Sequence, residues 1–374
     1  MERIITNNYD IAHKRPKLCT ETRTIWEPVK GWSFSHSPEI TWFKGRFYLM
    51  WNNGHVNEDD VGQRVLYSFS QDYETWSEPR ELVPPRMGDT HEVVYGGGGF
   101  HVAGDVMVAY FGQYEYVDEW IEDGHRKPGN SGHKNHAVHY RTTTDGENWS
   151  EPVFIARNIG VNHAPKPLRS GRLLISGSNY YPYSDEPDGI HGWKMAGIYP
   201  EGFDTETVAD DSEGIERITK LLNRPVTLCE GSFYQLDDGT IHMMLRSGTD
   251  FLWCTKSRDN GGSWSDPQPT KFTDNRTKFQ FDRLPNGRFY YVGTPDPFPP
   301  RTRHVLVLST SDDGYSFDRH YLLQDAQFKQ KFIGLDKNGI YGYPSTVVHK
   351  GCLYVTVSVC KERIIVMRVP CDTL

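Results

Sequence analysis

Several ionisable side chains recur at one position of an internal pattern, and their types suit proton transfer and anion binding. Counting back eight or nine residues from successive turn glycines gives His36, His163, Glu230, Lys278 and Tyr343, with His91 or Tyr95 as the counterpart in a longer second unit. Strands that start a buried sheet are apolar along most of their length, so polar residues recurring at their starts predict a concave polar site. The loops joining second to third strands open on the same face. They add His55, Asp59, Asp60 and Arg64 from the first unit, the long loop 113–136 with Arg126 from the second, Arg246 from the fourth and Arg303 from the fifth. Carboxylates, imidazoles and a phenol can exchange protons, and guanidinium groups can hold an acidic substrate. The alternative is a channel of satisfied polar residues that binds only water.

The elements that must position these residues follow from two repeats. The first is an apolar segment, a tight turn and a second apolar segment, with turn glycines Gly45, Gly104, Gly171, Gly239, Gly287 and Gly351. These glycines lie about 50 to 70 residues apart, room for about four short strands per unit. The second repeat is a Ser/Thr-x-Asp turn followed by an aromatic residue, seen from Ser70 to Trp76, Thr143 to Trp149, Ser257 to Trp264 and, with Asp312 as its acid, Thr310 to Phe317. In such a hairpin turn Asp accepts backbone N–H bonds and the ring plugs the neighbouring sheet. Six units predict an all-β fold, a six-bladed β-propeller with Asp-box turns, as a single domain over residues 1–374. The last unit has room for three strands, and RTIWEPV near the N-terminus is expected to supply its missing edge. The segment from Asp204 to Asn223 reads as a surface excursion without chemistry.

Composition narrows the function classes. Lys plus Arg number 41 against 49 Asp plus Glu, a formal charge of −8, so a nonspecific grip on nucleic acid or anionic membrane is not expected. No apolar run reaches the roughly 18 residues that span a bilayer. The N-terminal residues contain no apolar core of a secretory leader, which predicts a cytoplasmic protein. The six cysteines form no CxxC pair and read as reduced thiols. No cofactor or metal is expected. Gly96 to Gly99 lacks the Gly-Lys-Ser/Thr of a phosphate cradle and reads as a bend in a strand, whereas His133, His136 and His139 alternate faces on a strand and read as solvated.

With these turns and axial residues, the sequence resembles the sialidase superfamily over nearly its whole length. The resemblance implies that Tyr343, in Tyr-Pro-Ser, is a nucleophile activated by Glu230, that Arg246 and Arg303 bind a carboxylate, and that Asp60 or Asp59 is the acid/base. The family's first arginine corresponds here to His36-Ser37-Pro38, so its arginine triad is incomplete. Imidazole cannot reproduce the bidentate fork of a guanidinium, which argues against sialic acid as the substrate. Two chemistries follow, both on an acidic oligosaccharide or polysaccharide. One is hydrolysis by Tyr343, Glu230 and Asp60. The other is β-elimination at a uronate, as in propeller lyases acting on ulvan or rhamnose-glucuronate linkages, for which His36, His55, Tyr110 and Arg126 form a similar set. A non-catalytic glycan-binding propeller is the third reading. Sugar identity and oligomeric state are not legible in the residues.

Overall fold

A computed structural model describes residues 3–129, 132–157, 160–198 and 227–374. The surface excursion expected between residues 204 and 223 lies outside them. The described chain is all-β, with two short 3-10 turns, Asp118–Trp120 and Cys371–Thr373, and no α-helix among the described residues. Six small antiparallel sheets follow one another along the chain. Their first strands are Phe34–Phe43, Val94–Ala103, His163–Pro167, Leu228–Gln235, Gln280–Arg283 and Tyr341–His349. Five of the sheets have four strands and the third has three, while a separate two-stranded hairpin, Ile121–Glu122 with His125–Arg126, projects from the second. The strand Glu21–Trp26 pairs with Arg363–Pro370 and supplies the fourth strand of the sixth sheet, which gives that edge the partner expected from the spacing.

Apolar clusters lie between successive sheets. Tyr48, Met50, Tyr95 and Met107 join the first to the second, and Ile40, Trp51, Tyr354 and Val366 join the sixth to the first. The second and third sheets instead meet through glycine. A Cβ on Gly98 would stand 2.6 Å from Val161 Cγ1, so only glycine permits that approach. The glycine run bends the strand as expected, with a register shift between Gly97 and Gly99.

The aspartate turns lock these layers together. Ser70, Thr143 and Ser257 donate to Asp72, Asp145 and Asp259 at 3.1, 3.0 and 2.8 Å, and each aspartate also accepts backbone N–H bonds across its turn. The aromatic residues that follow, Trp76, Trp149, Trp264 and Phe317, each pack into the cluster shared with the preceding sheet. The fourth turn is displaced by one residue from the sequence expectation. Ser311 donates to Asp313 at 3.0 Å and Asp313 accepts from Tyr315 and Ser316, whereas Asp312 points outward to Arg288 and Arg319. Asp313→Ala should therefore lower stability by about 1 kcal/mol through the lost turn bonds. Asp312→Ala should leave it nearly unchanged because its pairs are solvated. Urea midpoints for the two variants check this, and equal midpoints would contradict the assigned register.

Candidate active site

The sheets deliver their polar residues through a repeated backbone device. Register shifts occur near the start of the first strand in five of the six sheets: between His36 and Glu39, Gly97 and Gly99, His163 and Lys166, Cys229 and Ser232, and Gly342 and Ser345. A bulge re-aims the side chain beside it out of the pleated alternation. Ser37, Glu230 and Tyr343 have φ values of 51°, 52° and 59°, a conformation that costs a non-glycine residue on the order of 1 kcal/mol or more and that clusters at functional sites.

Glu230 and Tyr343 meet from different sheets. The Tyr343 hydroxyl donates to Glu230 Oε1 in a short bond. Arg246 Nη1 donates to Glu230 Oε2 at 2.6 Å and to Tyr343 Oη at 3.2 Å. Antiparallel pairing of Cys229 with Arg246 accounts for the arginine's position. Burial pushes the Glu230 carboxyl up, but Arg246 outweighs it and holds the group below its usual range. Burial, and then Glu230, raise the Tyr343 phenol well above its ordinary value, so the phenol is neutral with an ionised base against it.

His36 borders this group. Its ring centroid lies 4.0 Å from that of Tyr343, and its Nδ1 is 2.6 Å from Ser358 Oγ. A Cβ on Gly342 would come within 2.8 Å of His36 Cε1, so glycine is required where the two strands approach. Burial, and then four nearby cations led by Lys361, push the imidazole well below its usual range, leaving it neutral. Arg303 is 3% exposed, with its guanidinium carbon 5.8 Å from the Tyr343 ring centroid. Its Nη2 donates to Arg276 O at 3.3 Å, while Nε and Nη1 have no hydrogen-bond partner among the described residues.

A second charged layer adjoins Tyr343. Glu39 accepts from His163 Nδ1 at 2.9 Å, Lys278 Nζ at 2.8 Å and Ser345 Oγ at 2.8 Å. Burial pushes the Glu39 carboxyl up, yet Lys278 and then His163 outweigh it and bring it down to about 2. His163 Nε2 also bonds Phe279 O at 3.0 Å, so both ring nitrogens are engaged within the protein, contrary to a substrate-binding role. Lys278 Nζ is 5.7 Å from the Tyr343 ring centroid.

The remaining sequence expectations fall elsewhere. Asp60 is fully buried, and its oxygens accept from Arg126 N, Val61 N, Asn57 Nδ2 and His125 Nδ1, which makes it a loop anchor rather than an available acid. Asp59 beside it is partly exposed, and burial followed by Glu58 raises it to about 6. The Arg126 guanidinium bonds Glu58 O, Gly129 O and Asp336 Oδ2 at 2.6, 2.8 and 2.6 Å and is consumed in holding the hairpin. Tyr110 is fully buried and donates to Gly189 O at 2.6 Å. His55 lies on Trp32 with centroids 4.1 Å apart and bonds Gly31 O. His91 bonds Asp118 at 2.9 Å, and Tyr95 packs into the core. His36, His55, Tyr110 and Arg126 therefore do not form one constellation. His133 and His136 are not solvated: a register shift between Lys134 and Ala137 turns both onto Tyr114, with centroids 4.4 and 5.0 Å away. Among the described residues no cluster of three or more His, Cys, Asp or Glu is arranged to hold a metal.

Residues missed in the sequence are Glu58, Lys361 and Glu39. Glu58 and Lys361 form a short ion pair in which both side chains are largely buried. Lys361 comes from the turn after Cys352–Val359, outside the repeat pattern, and Glu58 from a loop where nothing separates it from its acidic neighbours.

A family profile for the BNR repeat-like domain matches residues 45–355. The chain belongs to that family. Solved structures share the fold of this BNR repeat-like chain. It is similar to a protein described as a sialidase, at 16% identity and a TM-score of 0.66, covering 99% of this chain and 35% of the other. The chain thus spans about a third of that sialidase's length. It is also similar to a protein of unknown function from Dyadobacter fermentans, at 14% identity and TM-score 0.64, covering 93% and 99% of the two chains. A third likeness is to the intramolecular trans-sialidase from Ruminococcus gnavus, in complex with oseltamivir carboxylate, at 12% identity and TM-score 0.63, covering 94% and 97%. At such identities these likenesses speak for the fold. No curated protein matches the BNR repeat-like chain by sequence.

Proposed function

We propose that this chain is a retaining glycoside hydrolase that cleaves a glycosidic bond at an acidic sugar in a glycan, and that its six sheets are the blades of one closed β-propeller. The observation that carries the reading is the Tyr343 hydroxyl donating to Glu230 while Arg246 holds the other carboxylate oxygen. A phenol with an ionised base in contact and a cation fixing that base has the parts of an activated nucleophile. A neutral phenol also avoids the repulsion that a carboxylate nucleophile would meet from an anionic sugar. The buried Arg303, with two guanidinium nitrogens unpaired, supplies a cation for one acidic group of the substrate.

In the reaction Tyr343 Oη attacks the anomeric carbon as its proton passes to Glu230, and Asp59 protonates the leaving oxygen. Water, deprotonated by Asp59, then attacks the same carbon, and Glu230 returns its proton to the tyrosine oxygen. Two inversions retain configuration. Asp59 takes the acid role because it is partly exposed and already raised to about 6, whereas Asp60 is sealed.

An acid must be protonated to act, so kcat/KM should fall with rising pH above about 6, approaching tenfold per unit. Asp59→Asn should remove that limb, and an unchanged limb would reject Asp59 as the acid. The stability linked to Asp59 has the same sign: its folded pKa lies above the unfolded value of about 3.9, so this contribution is present at low pH and lost as pH rises through about 6.

Incubation with uronate- and sialate-terminated oligosaccharides tests the reading. Reducing ends without an ultraviolet band of unsaturated uronate support hydrolysis. Appearance of that band, or no product from any acidic glycan, overturns it.

A further inference from the structure

Beside His36 the site holds a carboxylate, that of Glu58. Glu58 Oε1 lies 3.8 Å from His36 Nε2, and Glu58 Oε2 is paired with Lys361 Nζ. The glutamate is fixed from several sides. Its N–H donates to Leu335 O at 3.1 Å, its carbonyl accepts from Arg126 Nε at 2.6 Å, and Lys361 also donates to Asp336 O at 2.8 Å. His36 is equally fixed by Ser358, yet its buried Nε2 has no hydrogen-bond partner among the described residues.

A separation of 3.8 Å is too long for a hydrogen bond between Glu58 and His36. One oxygen placed to the side of that line can stand about 2.8 Å from each. With the His36 proton on Nε2 and Ser358 Oγ donating to Nδ1, the atom that suits this position accepts from Nε2–H and donates to Glu58. A hydroxyl does both with its single proton. A second carboxylate can only accept, and it faces the Glu58 charge.

We propose that Glu58 and His36 form a hydroxyl-reading subsite, so that the substrate is a polyhydroxylated acidic sugar of the hexuronate class, held by its carboxylate at Arg303 and by one ring hydroxyl between Glu58 and His36. The assignment rests on the hydrolase reading for the presence of a sugar and adds which sugars are admitted. Lys361 acts through Glu58, holding its carboxylate in place. Where a site is built to hydrogen-bond a hydroxyl, an analogue lacking it leaves the polar partners unsatisfied and is rejected far more strongly than a change of apolar bulk would be.

Free hexuronates are products rather than substrates, so their binding can be measured on the active 374-residue chain by calorimetry. The ligands are glucuronate, galacturonate, the single-deoxy forms of whichever binds more tightly, N-acetylneuraminate, and pyruvate as a bare carboxylate. One deoxy form should bind at least about 100-fold more weakly than its parent, with the other deoxy forms much less affected. Glu58→Gln keeps the size and an acceptor for Lys361, and it should shrink that gap to about tenfold or less, with intact folding verified by circular dichroism. Equal binding of every deoxy form, or an undiminished gap in folded Glu58→Gln, overturns the subsite. If that happens while Tyr343→Phe abolishes glycan cleavage, the hydrolase reading survives the loss of the subsite. Binding of pyruvate or N-acetylneuraminate as tightly as the hexuronates overturns the substrate class, and absence of binding by any acidic sugar overturns both.

Discussion

Tyr343→Phe is expected to lower kcat on the cleaved glycan by at least about 10³-fold while leaving KM within a few-fold and the fold intact. The substitution removes one oxygen. It deletes the only Tyr343 atom that contacts Glu230 and Arg246 in the hydrogen-bond network, and the ring stays packed against His36. Arg246 keeps its bond to Glu230, so the buried ion pair survives and no charge is left unpaired. A loss confined to kcat therefore reports chemistry rather than unfolding. Turnover within tenfold of the unaltered chain would exclude the phenol as nucleophile.

Glu230→Gln carries the second-largest expected effect, a kcat reduced by about 10² to 10⁴-fold, the range for loss of a general base. The amide is nearly isosteric and can still accept from Arg246, but it cannot take the tyrosine proton. The Arg246 guanidinium would lose its buried counter-charge, and removing one partner of a buried pair typically costs about 3 kcal/mol or more. Pair burial here is partial, each side chain being 19% exposed, so the loss should fall below that figure. Kinetics and a denaturant midpoint on the same preparation separate the two effects. A variant that is destabilised yet fully active would confine Glu230 to structure.

The two variants lean on residues that were legible in sequence for a definable reason. Glu230 and Tyr343 stand at equivalent positions before turn glycines, and the aspartate turns that set this frame are local structures written in consecutive residues. His36 falls into the same neighbourhood by the same count, and Arg246 and Arg303 by their place in the loops that open on that face. The fourth turn shows where local reading slips: Ser-Thr-Ser-Asp-Asp contains two overlapping Ser/Thr-x-Asp frames, and the one with Asp313 forms, at the Ser-to-aromatic spacing of the first two turns. Asp59 and Asp60 pose the same difficulty, since only Asp60 is sealed by the hairpin and the sequence does not say which one the hairpin covers.

Other residues were illegible because their roles depend on distant partners. Arg126 reads as a free cation until Glu58 O, Gly129 O and Asp336 are seen to occupy it. Lys361 sits in an ordinary turn and acquires its part only by meeting Glu58 across 303 residues of chain. Three-residue spacing predicts alternate faces for the histidines at 133 and 136, and one bulge places them on the same tyrosine. Periodicity predicts faces only where the register is unbroken.

In the proposed reaction Tyr343 bonds covalently to the sugar. Intact-protein and peptide mass spectrometry after brief exposure to a fluorinated acidic glycosyl fluoride, which slows breakdown of such an intermediate, tests it most directly. The account predicts a mass increase of one glycosyl residue, located on the peptide containing Tyr343 and absent from Tyr343→Phe. Steady turnover of the parent glycan with no adduct at Tyr343, or an adduct on another residue, would contradict it.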